Sequence, residues 1–304
     1  MKLFPFIFAF LLLSNGTFAQ KNLYTTIEYP SELNVYSKLS KKVNESSGVI
    51  FYEDCLWTFN DSGGKPEIYK MSKKTGKVIK TVKIKNGTNH DWEDITQDEN
   101  YIYVGDFGNN NGNRKNLVIY KILKKDIGKG KKVGVDADKI FFSYSDQKSY
   151  SVKRHKNNFD CESVMVFGDS LIIFSKDWAD YKTRMYKLPK TSGVYKIDPV
   201  AVFEANGLIT GADYNNSTGD LVLVGYRNYV PIVFLLKGFN GNDFTTTKVF
   251  RVNFSAMKDA QTEGVGWLDN DNVVITCEAT KTFKQKAFKL NINKISQTVF
   301  MIDR

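Results

Sequence analysis

One hairpin is written five times along this chain. It reads S-G-V-I-F-Y-E-D-C-L-W-T-F-N-D-S-G from Ser47 and E-D-I-T-Q-D-E-N-Y-I-Y-V-G-D-F-G from Glu93. It returns as E-S-V-M-V-F-G-D-S-L-I-I-F-S-K-D-W from Glu162, T-G-A-D-Y-N-N-S-T-G-D-L-V-L-V-G-Y from Thr210 and E-G-V-G-W-L-D-N-D-N-V-V-I-T-C-E from Glu263. Each copy has a small or acidic start, a short strand, a polar turn and an apolar strand that ends on a polar residue. Two more strand-like runs follow every copy, for example E-I-Y-K-M and V-I-K-T-V-K-I after the first. After the third come R-M-Y-K-L and Y-K-I-D-P-V-A-V-F, and after the fifth A-F-K-L-N-I and T-V-F-M-I. The unit is therefore four antiparallel strands, and helical periodicity is almost absent.

The starts lie 46, 69, 48 and 53 residues apart. Four-stranded units at this period bury their faces against one another around a central channel. The chain thus predicts an all-β fold, a β-propeller of four-stranded antiparallel blades. Five blades are expected, with six as the alternative. The long second interval is an insertion, Ser145 to Asn158, between units two and three. One further strand, L-Y-T-T-I-E-Y near the N-terminus, is expected to close the ring on the last blade or to belong to a sixth. A β-sandwich would not need the same hairpin five times.

The chain opens M-K-L-F-P-F-I-F-A-F-L-L-L-S-N-G-T-F-A-Q, a short apolar run behind a lysine with small residues before Gln20. This reads as a signal peptide over residues 1–19, leaving residues 20–304 as a single propeller domain in the periplasm or outside the cell. No later run is long enough to span a bilayer. Removing Lys2 lowers the net charge from +10 to +9. Scattered lysines suit solubility and leave anionic partners open, while no dense basic run points to nucleic acid. Cys55, Cys161 and Cys277 are odd in number and lack zinc spacing, so buried free thiols are expected. The chain is expected to be a monomer.

Hairpin geometry then aims the polar positions. The start of each first strand and the end of each second strand lie at the same end of a blade. One ring is Ser47, Glu93, Glu162, Thr210 and Glu263; the other is Asp61, Asp106, Lys176, Gly225 and Glu278. Both converge on one mouth of the channel, where so many like charges need a cation, Lys176 or strong hydrogen bonds. Glu93, Glu162, Glu263, Asp106, Asp61 and Glu278 are the candidate metal ligands, and oxygen donors of this kind suit Ca²⁺ or Mg²⁺. Each acid taken singly also fits a structural role, capping backbone N–H groups of the next blade. Loops at the same mouth bring Lys176, Arg227, Arg114, Trp178 and Tyr226 as candidate ligand-binding groups for an anionic or sugar-like molecule, with Arg154, His155 and Tyr229 around them.

His90 lies three residues before Glu93 and is the candidate general base, with Glu93 and Glu263 the candidate catalytic acids. A surface histidine is the plainer alternative. No nucleophile elbow, phosphate loop or dinucleotide fingerprint stands in the right context. Trp57, Trp92, Trp178 and Trp267 recur at equivalent blade edges, as inter-blade packing would place them.

The stretch L-W-T-F-N-D-S-G-G-K-P-E-I-Y-K-M, then N-H-D-W-E-D-I-T and Y-I-Y-V-G-D-F-G-N-N-N-G-N-R, resembles the SdiA-regulated and phytase-like propellers. There an Asp-x-Glu pair opens a blade and a D-x-G-N-N loop follows the next strand. Here those positions are Asp91, Glu93, Asp106, Gly108, Asn109 and Asn110, and Asp160-Cys161-Glu162 repeats the pair. Glu263-Gly264-Val265-Gly266-Trp267 is similar to the blade start of gluconolactonase-type propellers, with valine where that family has proline. In that family the glutamate is a metal ligand, which the resemblance implies for Glu263. The expectation is a binding module of the cell envelope, taking a small anionic molecule, a glycan or an envelope protein. The alternative is a divalent-metal-dependent hydrolase of an ester, lactone or phosphoester, with metal-activated water. No full catalytic set is present, which favours binding.

Overall fold

The computed structural model describes residues 24–151, 153–244 and 248–295; the expected signal peptide lies outside them. Two short strands come first, β1 (Thr25–Glu28) and β2 (Asn34–Lys38). The first hairpin is β3 (Ser46–Tyr52) and β4 (Cys55–Asn60), and β5 (Glu67–Met71) and β6 (Val78–Ile84) extend it antiparallel. The turn between β3 and β4 places both Glu53 and Asp54 at positive φ, the geometry that matches the twist of a tight hairpin. Next come β7 (Trp92–Gln97), β8 (Tyr101–Asp106), β9 (Leu117–Leu123), the outlying β10 (Lys132–Val135) and β11 (Asp138–Tyr144). The third unit holds β12 (Asp160–Phe167), β13 (Ser170–Lys176), β14 (Thr183–Pro189), β15 (Gly193–Ile197) and β16 (Pro199–Phe203). The fourth holds β17 (Leu208–Asn215), β18 (Asp220–Arg227), β19 (Val230–Lys237) and β20 (Lys248–Asn253). The fifth holds β21 (Thr262–Trp267), β22 (Asn272–Cys277) and β23 (Lys286–Asn291).

Each hairpin begins a separate sheet, so there are five sheets among the described residues. The first strands β3, β7, β12, β17 and β21 touch in that order, and β21 returns to β3. Apolar side chains form one cluster at each junction. Trp57 and Trp92 are buried between sheets one and two, and Tyr103, Cys161 and Tyr186 between two and three. Phe174 and Phe234 fill the junction of three and four, Val224 and Ile275 that of four and five, and Val49 and Val274 that of five and one. Each sheet is thus covered by its two neighbours, as a ring of stacked units requires. The molecule is a five-bladed β-propeller, which settles the alternative of six.

Side chains on the inner strands stitch the ring to neighbouring backbones. Ser47 Oγ donates to the Glu93 carbonyl, and the Val164 N–H donates to Asp94 Oδ2 at 2.9 Å. Thr210 Oγ1 donates to the Thr262 carbonyl at 2.8 Å, and the Trp267 N–H donates to Asp213 Oδ2 at 2.8 Å. Thr276 Oγ1 closes the circle on the Ser47 carbonyl at 2.9 Å. Buried backbone groups need such partners, and here the partners come from the next blade.

Two strand expectations change. The N-terminal strand β1 does not close the last blade; it pairs in parallel with β20 on the outside of blade four. The closing strand is β2, antiparallel to β23, with Asn34 opposite Lys289 and Lys38 opposite Lys286. The sequence hides β2 because it is a short, mostly exposed edge strand with a register shift after Val35. The expected T-V-F-M-I strand, residues 298–302, lies outside the described residues. The run from Tyr195 to Phe203 also divides. β15 pairs in parallel with β11 on blade two, while β16 pairs antiparallel with β14 on blade three. Pro199 starts the second piece, where an edge strand tolerates a residue without an N–H. All three cysteines are free; Cys161 and Cys277 are buried, but Cys55 is only half-buried. Among the described residues no helix is long and apolar enough to cross a membrane.

Candidate functional site

Every inner strand carries a register shift at the same place. Trp92 faces Asp106 and Asp94 faces Gly105, so Glu93 has no partner on β8. Glu162 is skipped between Cys161 and Ser163, Thr210 between Ile209 and Gly211, and Glu263 between Thr262 and Gly264. In blade one Ser47 and Gly48 together face the gap between Asn60 and Thr58. These are β-bulges, and a bulge re-aims the extra residue out of the ladder. All five extra positions are the first ring read from the sequence.

The residue after each extra position is Gly48, Asp94, Ser163, Gly211 or Gly264. Size explains that choice. A Cβ on Gly264 would stand 2.5 Å from the Ser47 carbonyl oxygen, and one on Gly211 would stand 2.6 Å from that of Glu263. Five inner strands leave a channel this narrow. Below the bulges the buried carboxylate of Asp94 and the half-buried one of Asp213 accept backbone N–H groups from the strands around them.

Above the bulges lies a cavity of about 460 Å³. Asp61, Glu93, Glu162, Glu263 and Glu278 line it, with Lys176, Trp178, Tyr226 and Arg227. Nine of the predicted site residues therefore meet in one chamber. Asp106, Arg114 and His90 do not line it. Asp106 is fully buried; its Oδ1 accepts from Arg114 Nη2 at 2.8 Å, and its oxygens also accept the His90 and Asp91 N–H groups. Arg114 further donates to the Gly108 carbonyl at 2.8 Å. This pair braces the loop that carries Gly108, the structural role weighed for single acids. The His90 side chain is exposed.

Asp91 stands where Asp106 was expected. One carboxylate oxygen from each of Asp61, Asp91 and Glu93 fits within a 4.8 Å group. Gly108 makes room for it: a Cβ there would fall 2.1 Å from Glu93 Oε1 and 2.5 Å from Asp91 Oδ2. Asp61 Oδ1 is buried and accepts no hydrogen bond. Beside it, Asn89 Nδ2 donates to the Asp61 carbonyl at 2.7 Å while Asn89 Oδ1 stays buried without a partner. Three carboxylates with unused oxygen lone pairs and no sulfur or imidazole fit a hard cation such as Ca²⁺ or Mg²⁺ and not zinc.

The electrostatics agree with that shape. Burial, then the charges of Asp91 and Glu263, push Asp61 up to about 7. Burial and Asp160 push Asp91 up to about 6 against the pull of Arg114. Burial, then Glu162 and Asp61, hold Glu93 well above the usual carboxylate range. Burial and Glu263 raise Glu278 to about 9. Burial likewise raises Glu263, opposed by Lys176 and by Gln261, whose Nε2 donates to Glu263 Oε1 at 2.8 Å. Lys176 is the counter-charge. Burial works against its proton, but Glu162, Tyr226 and Glu263 hold the ammonium charged. Its Nζ is 3.1 Å from Glu162, the one ion pair these lining acids make among the described residues.

The rim comes from the blade-entry and hairpin loops. The insertion folds over the N-N-N-G loop: the His155 N–H donates to the Asn110 carbonyl at 3.0 Å and Asn157 Nδ2 to the same oxygen at 3.1 Å. That brings Arg154 and His155 over the cavity, with the His155 ring stacked 3.8 Å from Trp178. Lys176 Nζ lies 4.9 Å from the Trp178 ring and 5.6 Å from that of Tyr226. Trp178 therefore serves the rim, whereas Trp57 and Trp92 are fully buried packing residues. Tyr181, which no sequence pattern marked, also lines the cavity. His155, Tyr181, Asn228 and Tyr229 all hold positive φ without being glycine. Asn228 and Tyr229 form the two-residue hairpin turn between β18 and β19, as Glu53 and Asp54 do in blade one, whereas His155 and Tyr181 hold this backbone outside any hairpin.

No family model matches the chain, and no curated protein matches it. Among solved structures it is similar to the PQQ-bound aldose sugar dehydrogenase of Streptomyces coelicolor, with a TM-score of 0.49 and 10% identity over 86% of this chain and 98% of that one. It is similar to a glucose dehydrogenase, with a TM-score of 0.48 and 7% identity over 84% of this chain and 98% of that one. A nidogen/laminin complex gives a TM-score of 0.44 and 12% identity over 82% of this chain and 76% of that one. Likenesses this distant carry no function, and the propeller fold stands on the strand register and the closed ring.

Proposed function

We propose that this protein is a binding module of the cell envelope. It captures a small ligand in the mouth of the propeller, over a divalent cation, Ca²⁺ or Mg²⁺, held by Asp61, Asp91 and Glu93. The observation that carries the reading is the convergence of these three carboxylates beside the buried, unpartnered Asp61 Oδ1. Lys176 is paired with Glu162, and among the described residues no ion pair reaches Asp61, Asp91 or Glu93. A bound cation supplies a counter-charge and presents open coordination positions to a ligand's oxygens.

Isothermal titration of calcium and magnesium into the chelated protein tests this. Binding with release of protons is expected, because a cation displaces protons from carboxyls whose affinity for them is raised. Absence of binding by either metal, together with a melting temperature indifferent to chelator, would sink the cation.

One observation favours the hydrolase reading. Glu162, buried and paired with Lys176, is near enough to Glu93 for its charge to raise that carboxyl, so a further carboxylate lies near the proposed ligands. In that reading a cation held by Asp61, Asp91 and Glu93 would supply the activation of water, and Glu162 would be the carboxylate placed to accept a proton. Turnover of an ester, lactone or phosphoester panel that vanishes with chelator would favour the enzyme over the binder.

A further inference from the structure

Among the cations at the mouth, Arg227 is the one with an unmet demand. Its Nη1 is buried and has no hydrogen-bond partner. A buried guanidinium N–H without an acceptor is costly and rare, and it calls for an explanation. The group cannot simply swing into water to relieve itself. Its Cζ lies 3.5 Å from the centroid of the Tyr181 ring, so one face of the guanidinium is covered. The Tyr181 backbone is tied down, its N–H donating to the Asp177 carbonyl at 2.8 Å and its carbonyl accepting from the Gly207 N–H at 3.0 Å, while the residue is 37% exposed. Behind Arg227 the turn Asn228-Tyr229 holds φ of 52° and 64°, and the Asp259 N–H ties down the Tyr229 carbonyl at 2.7 Å. The two-residue hairpin turn and the tied Tyr181 backbone hold the arginine at the cavity it lines.

Lys176 and Arg114, the other cations expected to receive an anion, are already taken, by Glu162 at 3.1 Å and by Asp106 at 2.8 Å. We infer that Arg227 is the anion-recognising and specificity-determining residue of the mouth, and that the ligand carries an oxyanion, carboxylate or phosphate, which its guanidinium receives at the cavity it lines. The planar fork of a guanidinium matches two oxygens of either group, which an ammonium does not. The acids of the floor repel the same oxyanion unless a cation covers them, so the anion is steered to the rim. The aromatic rim of Trp178 and Tyr229 suits the apolar face of a ring in the rest of the ligand. This inference rests on the reading of the mouth as a ligand site, and it stands whether or not a cation is bound there.

The test uses three probes that share one ring: glucose, glucuronate and glucose 6-phosphate, titrated calorimetrically into the full chain with calcium and again with chelator. At least one charged probe is expected to bind about tenfold or more tightly than glucose, and which one does so tells carboxylate from phosphate. Arg227→Met is expected to abolish that preference. Arg227→Lys keeps the charge, loses the fork and is expected to recover only part of it; circular dichroism verifies that both variants fold. Failure of either anion to bind better than glucose overturns the inference, as does a preference that survives in Arg227→Met. A preference that needs Arg227 in chelator, with no calcium binding by the protein alone, would remove the cation while leaving the anion clamp.

Discussion

Replacing Asp61 by asparagine should make the metal-free protein more stable. Asp61 titrates at about 7 in the folded chain against an ordinary value of 3.8, because it is buried beside Asp91 and Glu263. The folded state therefore holds a proton that the unfolded chain has released. That contribution to stability is complete below about pH 4 and is lost as pH rises through 7. Three pH units correspond to about 4 kcal/mol, and sharing of the proton among coupled neighbours brings the expected gain to about 2–4 kcal/mol at pH 8. Asparagine keeps the shape of the side chain and removes the charge. At roughly 2 °C per kcal/mol for a chain of this size, the variant should melt about 4–8 °C higher than the parent in chelator at pH 8. The two should converge near pH 4. Saturating calcium should then raise the parent, by about 2.7 kcal/mol at a hundredfold excess over its Kd, and leave the variant nearly unmoved. Scanning calorimetry at pH 4, 6 and 8, with chelator and with calcium, covers the whole prediction. A variant less stable than the parent at pH 8, or a gap that does not change with pH, would refute the electrostatic reasoning.

Three further perturbations follow from single contacts. Gly108→Ala pushes a methyl group against the movable carboxylates of Asp91 and Glu93, not against backbone, so it should fold normally and lose about tenfold or more in calcium affinity by calorimetry; unchanged affinity would count against the trio. Gly264→Ala meets the Ser47 carbonyl at 2.5 Å across the ring and should cost about 3 kcal/mol or more in denaturant unfolding, whereas Gly64→Ala, with only Asn89 Nδ2 at 3.7 Å, should be nearly neutral. Arg184→Ala leaves the fully buried Asp177 without its ion-pair partner and should cost about 3–5 kcal/mol above pH 8. Burial already raises Asp177 to about 8, so that cost should shrink as pH falls and the carboxyl takes a proton; a pH-independent cost would argue that Arg184 acts through packing alone.

The repeat carried most of the fold. Five hairpins with the same polar ends leave a closed ring as the way to bury both faces of each sheet, and the two polar rings follow from hairpin geometry alone. What escaped was set by edges and by register. β2 escaped because an exposed edge strand needs no apolar alternation. β15 and β16 escaped as separate strands because one apolar run can serve two sheets when a proline restarts it. Asp106 and Asp91 exchanged roles for a register reason. Asp106 ends its strand directly opposite Trp92 and turns to the loop around Arg114, while Asp91 precedes the bulge and is carried with Glu93 over Gly108. Tyr181 was invisible, since its place depends on a left-handed backbone that no local pattern announces. The bulges themselves were half legible: glycine or serine follows the ring position in four blades and Asp94 in the other, and at the glycines the reason lies in the neighbouring strand.

That repeated bulge also weighs function against scaffold. Five residues occupy the same backbone position, so what differs among them is not demanded by the ladder. In two blades the position holds a hydroxyl, and it works for the fold: Ser47 donates to the Glu93 carbonyl and Thr210 to the Thr262 carbonyl, each tying its blade to the next. A short hydroxyl is therefore a sufficient structural answer there. The three glutamates reach past that backbone into the cavity. There Glu93 joins Asp61 and Asp91, Glu162 meets Lys176, and Glu263 is held by Gln261. Each of the three is buried and holds its proton more tightly than a free carboxyl does. Such burial weakens the folded state at neutral pH, and the hydroxyls of blades one and four show that the ring does not require it. Residues that cost stability at positions where the fold accepts a cheaper side chain are the ones that function has to explain, and these three face the cavity for which the cation and the anion clamp are proposed.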